Sequence, residues 1–171
     1  MRSHLEYGQS VWSPYKLKHI DALEAVQRRA TKILPSLKNL CYAERLRKLS
    51  LPTLTYRRIR GDMIELYKIM HGIYSSDACP KLELNCLYKT RGHSYKLFKR
   101  SCLTNTRKHY FSFRVQVVNT CTWNSLPNKS VTPPSINSFK NRIDKHWACQ
   151  DIVFNYRSSF LLTAGQPDRS F

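Results

Sequence analysis

Carboxylates are scarce in this sequence: 11 Asp and Glu stand against 29 Lys and Arg, and none falls between Glu83 and Asp144. Nucleotidyl transfer by two metal ions needs clustered carboxylates. Asp21 with Glu24 and Asp62 with Glu65 are spaced three apart on helices and read instead as surface partners of nearby bases, such as Lys68 for Glu65. Glycine is also rare, at five residues, and no Gly-rich phosphate loop occurs. No apolar run reaches the roughly 18 residues that a membrane-spanning helix requires. The opening residues Met1-Arg2-Ser3-His4-Leu5-Glu6 hold no apolar core of the signal-peptide type. The six cysteines are therefore expected as reduced thiols of an intracellular protein, nuclear or cytoplasmic. Cys79, Cys86, His93, Cys102 and His109 occur in order, but without the tight pairs by which one turn presents two ligands to one zinc ion. No catalytic residue, metal, cofactor or small-molecule substrate is expected.

What is present is positive charge and rings. The formal net charge is +18 over 171 residues, while 42% hydrophobic and 12% aromatic content suffices for a folded core. A surface so basic repels itself unless a polyanion is near. The carboxylate-free stretch holds Lys89, Arg91, Lys96, Lys99, Arg100, Arg107, Lys108, Arg114, Lys129, Lys140 and Arg142, interleaved with Tyr95, Phe98, Tyr110, Phe111 and Phe113. Cations hold phosphates and flat rings stack on unpaired bases; of the two, the charges are read as phosphate contacts and the rings rather as core. The candidate nucleic-acid contacts are Arg28, Arg29 and Lys32, then Arg57, Arg58 and Arg60, then Lys96, Lys99, Arg100, Arg107, Lys108 and Arg114. The expected partner is RNA or DNA, gripped by its backbone with low specificity, and no membrane.

Periodicity predicts a mainly α protein. Ile20, Leu23, Val26, Ala30 and Ile33 form one apolar stripe on a helix over 16–34, which Pro35 ends. A shorter helix over 42–49 turns Leu46 and Leu49 inward. Ser50 is the expected N-cap of a helix over 52–71, with Tyr56, Ile59, Met63, Leu66 and Met70 as its stripe, Arg57, Arg58 and Arg60 on its outer face, and Gly72 as its stop. Residues 73–92 read as a linker. Residues 94–99 alternate like a short strand, residues 110–118 fit strand or helix, and 124–127 read as a turn or helix end. A last helix over 135–147 presents Ile136, Phe139, Ile143 and Trp147. The expected organisation is a helical bundle in 1–72, a small basic α+β unit in 93–147, and a poorly ordered tail in 148–171.

Several blocks resemble a known family. Arg2-Ser3-His4-Leu5-Glu6-Tyr7-Gly8 with Val11-Trp12-Ser13-Pro14, then Ile20-Asp21-Ala22-Leu23-Glu24-Ala25-Val26-Gln27-Arg28-Arg29-Ala30-Thr31-Lys32, resemble the C-terminal part of non-LTR (LINE, jockey- or CR1-like) retrotransposon reverse transcriptases. So do Tyr42-Ala43-Glu44-Arg45-Leu46, Leu49-Ser50-Leu51-Pro52-Thr53-Leu54, Arg57-Arg58-Ile59-Arg60-Gly61-Asp62 and Tyr67-Lys68-Ile69, and later Phe113-Arg114-Val115, Trp123-Asn124-Ser125-Leu126-Pro127 and Ser138-Phe139-Lys140-Asn141. The resemblance covers roughly residues 1–147 and implies the thumb and post-thumb segment, which holds a template–primer duplex by its backbone. The family's "Y-x-DD" aspartates lie upstream of these blocks and have no counterpart here, so no catalytic residue carries over. The polymerase palm of the parent polyprotein is the implied protein partner. Ser3 stands where the family has proline, Met1 where it continues from an apolar residue, and 115–123 is longer than the family's run. The tail after Trp147 matches no block. These departures favour an inactive fragment; the alternatives are a host-adapted nucleic-acid-binding or interaction module, or an unstable pseudogene product.

Overall fold

The structure is a computed structural model that describes residues 5–75, 77, 79–85, 92–132 and 134–158. Met1 to His4, Cys86, Lys89, Arg91 and the tail beyond residue 158 lie outside the described residues. The fold is mainly α. Its long elements are α1 (Leu17–Lys32), α2 (Tyr42–Lys48) and α3 (Leu54–Met70). Short helices follow at α4 (Asn105–His109), α5 (Phe111–Phe113), α6 (Thr120–Asn124) and α7 (Asn128–Val131), before α8 (Ile136–Trp147).

α3 is the central element, and it buries Tyr56, Met63 and Leu66 of its predicted stripe. Leu54, Ile64 and Tyr67 widen that stripe, so α3 is covered on most sides. At its end Gly72 adopts φ 63, which lets its N–H reach the Ile69 carbonyl while the Ile73 N–H reaches that of Lys68. This left-handed cap satisfies the last carbonyls of the helix. Its start differs from expectation. Thr53, not Ser50, is the N-cap, its Oγ1 accepting from the Tyr56 N–H at 3.2 Å, while Ser50 sits in the left-handed region at φ 51. Pro52 explains the shift: its ring disfavours helical backbone at Leu51, so the helix begins beyond it.

α1 also departs from its predicted pattern. Glu24, Gln27 and Thr31 are the residues it buries, while Ile33 is exposed and Ile20, Leu23, Val26 and Ala30 are half-buried. Hydrogen bonding decides this. Glu24 accepts from the Thr55 N–H at 3.0 Å and from the Tyr42 hydroxyl at 2.7 Å, and Gln27 donates to the Pro52 carbonyl at 3.2 Å. Thr55 lies in the first turn of α3, where orphan N–H groups and the helix dipole favour an anion.

The second half closes on the same core. Leu97, Val115, Trp123, Leu126, Val131, Phe139, Ile143 and Trp147 form one apolar cluster with α3. α8 is capped by Ser135, whose Oγ accepts from the Ser138 N–H at 3.2 Å. It stacks Phe139 on Tyr67 with ring centres 4.4 Å apart and sets Trp147 edge-on to Tyr56 at 6.0 Å. Burying each such side chain is worth about 1.5–3 kcal/mol.

The α+β reading of the second unit is corrected: the described residues contain no strand. Residues 94–99 make only an isolated antiparallel bridge, Leu84 opposite Leu97. The Asn124 side chain takes both backbone groups of Leu97, accepting from its N–H and donating to its carbonyl at 2.9 Å each, so no further chain can pair there. Residues 110–118 resolve as helix, α5 running into a π-helical turn over Arg114–Val118 that the Asn119 N–H closes onto the Arg114 carbonyl at 2.9 Å. Residues 148–158, expected within a poorly ordered tail, pack against α3. Ile152 is buried, its carbonyl accepts from the Thr53 hydroxyl at 2.7 Å, and the Val153 carbonyl accepts from the Thr53 N–H at 2.9 Å.

Candidate nucleic-acid interface

A side chain meets a phosphate most readily when its charge reaches the surface and no short internal ion pair holds it; a long, exposed pair is worth little. Arg29 and Lys32 do so on the exposed side of α1, as does Lys99 in the segment before α4. Arg107 is exposed on α4 with its guanidinium 4.5 Å from the Phe113 ring centre, a stacking that leaves its N–H edges available. Lys96 and Lys108 are half-buried. Arg28 is half-buried too, and donates to the Tyr156 hydroxyl at 3.0 Å.

The rest of the predicted set is engaged within the fold. Arg57 pairs with Glu6 at 2.5 Å, and Arg100 pairs with Glu83. Arg60 holds Asp144 with two bonds, Nε to Oδ1 at 2.5 Å and Nη2 to Oδ2 at 2.7 Å. Arg58 is buried beneath Trp12, its guanidinium 5.5 Å from the ring centre. Burial lowers its pKa, against the fields of Glu24 and Glu6. The Arg57-Arg58-Arg60 run is thus not an outer face. α3 is covered on too many sides to have one, and the segment at residues 5–12 lies against it. A Cβ at Gly61 would overlap the amide end of the Gln9 side chain, which lies over the bare backbone there.

Arg114 is the clearest correction. It is buried against Asp62, which the sequence had placed on the surface. Nε and Nη2 each reach an Asp62 oxygen at 2.8 Å, Asn119 donates to the same carboxylate at 2.9 Å, and Nη1 donates to the His109 carbonyl at 3.1 Å. Nη2 also approaches the Gln9 carbonyl at 3.2 Å. Burial pushes the Asp62 carboxyl up, while Arg114 and Asn119 push it down. This network ties three chain segments together and presents no charge outward.

The aromatics divide as well. Phe111 and Tyr95 pack against the core, while Phe98 and Tyr110 are exposed. Among the described residues no three His, Cys, Asp or Glu gather into a metal-holding group. His93 is buried against the Trp123 carbonyl and His109 stacks on Tyr15 at 4.2 Å. No described helix is long and apolar enough to cross a membrane. Sequence reading missed Arg47 and Arg157, which the fold brings beside Arg28. Residues 148–158 lack periodicity, so no pattern signalled that they return to α1 and α2. No family model, curated protein or solved structure matches the chain.

Proposed function

We propose that the chain is the non-catalytic thumb and post-thumb segment of a non-LTR retrotransposon reverse transcriptase, and that it binds nucleic acid through the phosphate backbone with low sequence specificity. One observation carries the binding part: the fold spends most of its few carboxylates internally. Glu6, Asp21, Asp62, Glu65, Glu83 and Asp144 are each committed to an ion pair. Glu24 and Glu44 are committed to hydrogen bonds at helix starts. The large cation excess is left without internal counterions, and a polyanion supplies them with release of its own condensed ions. The ordered blocks quoted above carry the family part, and they contain no aspartate pair for nucleotidyl transfer.

Binding of the full chain to two duplexes of unrelated sequence tests the first part; equal affinities are expected, and strong preference for one sequence would overturn it. Incubation with primed template, nucleotides and Mg²⁺ tests the second; no primer extension is expected, and extension would overturn it. A core drawn from both halves of the chain favours a protein that folds by itself over an unstable product. Cooperative thermal unfolding is the expected result.

A further inference from the structure

An open groove of about 800 Å³ lies between α1, α2 and the segment 148–157. Three arginines line it, and each lies over aromatic rings. Arg28 sits 5.3 Å from the ring centre of Tyr42 and 5.8 Å from that of Tyr156. Arg47 sits 5.6 Å from Phe154, and Arg157 sits 5.6 Å from Tyr156. Two carboxylates face them. Asp151 lines the groove, and Asp21 accepts from the Tyr156 hydroxyl at 2.8 Å and lies 3.6 Å from Arg157. Arg47 is exposed and its side chain makes no hydrogen bond or ion pair with the described residues, and the Arg157 side chain is 71% exposed. Lys32 stands one helical turn on from Arg28 and continues the line of cations along α1.

From this geometry we infer that the groove is the seat of a nucleic-acid phosphodiester backbone, and that it favours duplex over single strand. The inference rests on the proposed binding function and assigns it to a place. A guanidinium lying on a ring keeps its N–H edges for acceptors, and stacking restricts its rotamers before any ligand arrives. The same stacking occupies the rings. Tyr42, Phe154 and Tyr156 are already paired with arginines, so unpaired bases find no platform of the kind single-strand binders use. What remains is charge, and duplex offers phosphates at the higher density. A groove of this size admits a sugar–phosphate segment, and its open side leaves the bases outside.

The full chain is titrated by fluorescence anisotropy with a 20-base-pair duplex and a 20-nucleotide single strand over a salt series. Wild type is compared with the Arg47→Gln/Arg157→Gln and Arg47→Lys/Arg157→Lys double variants. Both side chains are exposed, so the thermal midpoint should be unchanged. The Gln pair should weaken duplex binding roughly tenfold or more and reduce the slope of log K against log salt by about 1.8, two contacts at about 0.9 each. The Lys pair should keep most of that slope. Binding of wild type with an unaltered slope in the Gln pair would overturn the groove and leave the proposed function standing. No salt-dependent binding by wild type would overturn both. Tighter binding of single strand than duplex would overturn the duplex assignment. Displacement by inorganic phosphate beyond that by chloride at equal ionic strength would make this a free-phosphate site, overturning the backbone reading.

Discussion

Arg114 and Asp62 meet as a two-bond buried pair, Nε and Nη2 of one each 2.8 Å from an oxygen of the other, and between them they join the π-helical turn to the central helix. Neither side chain reaches solvent to a useful extent, at 5% and 4% exposure. Asp62→Ala would strand the guanidinium in the interior, and breaking such a pair costs about 3–5 kcal/mol. Urea denaturation should show a loss of that order. The double variant Asp62→Ala/Arg114→Met, which removes the stranded charge, should lose less than Asp62→Ala alone. A single-variant loss under about 1 kcal/mol would mean that the pair does not hold the halves together.

Residues 148–158 dock where sequence periodicity shows nothing. Truncation after Trp147 removes buried Ile152 and the two carbonyls that receive the Thr53 N–H and hydroxyl. The apolar part is worth about 1.5–3 kcal/mol, and each hydrogen bond about 1 kcal/mol. The truncated chain should therefore unfold at a clearly lower temperature in calorimetry. An unchanged midpoint would show that the segment adds nothing to α3.

His93 gives the fold a pH dependence. Its Nε2 faces the Trp123 carbonyl at 3.1 Å and so carries the proton, while Nδ1 is buried with no partner. Burial lowers its pKa from the ordinary 6.5, against the pull of the Trp123 carbonyl, and Lys96 lowers it further. The unfolded chain takes up a proton near that ordinary value and the folded protein resists it. Stability from this group is therefore complete above about pH 6.5 and declines as pH falls below it. Burial shifts His109 and His146 in the same direction. Urea midpoints measured from pH 8 to pH 5 should fall on the acid side, with a shallower fall in His93→Gln. A flat wild-type profile would contradict this account of the site.

Cations of the same type should separate by position. Arg29→Gln/Lys32→Gln should weaken duplex binding and lower the salt slope by about one to two, leaving the thermal midpoint alone. Arg114→Gln should do the reverse, lowering the midpoint and leaving the slope of the folded protein unchanged. Equal effects of the two on the slope would mean that burial does not decide which cations meet phosphate.

The difference between those cations marks where the sequence was legible. The α3 and α8 stripes were readable because apolar residues at three- and four-residue spacing have one way to be buried. Gly72 and Ser135 acted as their local chemistry dictates. Arg58 and Asp62 were misplaced because a charge on a helix is ordinarily a wet face, and Arg114 because it sits in a run of cations with no carboxylate near it in sequence; only the path of residues 5–12 and the π turn brings partners over them. Glu24 misled in the same way: its value lies in the orphan N–H groups of another helix, 31 residues away. The expected strand failed on one long-range contact, the Asn124 amide filling both backbone bonds of Leu97. Residues 148–158 carry no pattern, since they are held by Thr53 and by the burial of Ile152, contacts distant in sequence.

The most direct test of the account is the salt dependence of wild-type binding to two unrelated duplexes. The fold commits most of its carboxylates internally, so affinity should come from counterion release. Log K should fall linearly with log salt, by about 0.9 for each phosphate neutralised, with the same slope for both sequences. An affinity that stays flat with salt, on either duplex, would contradict it.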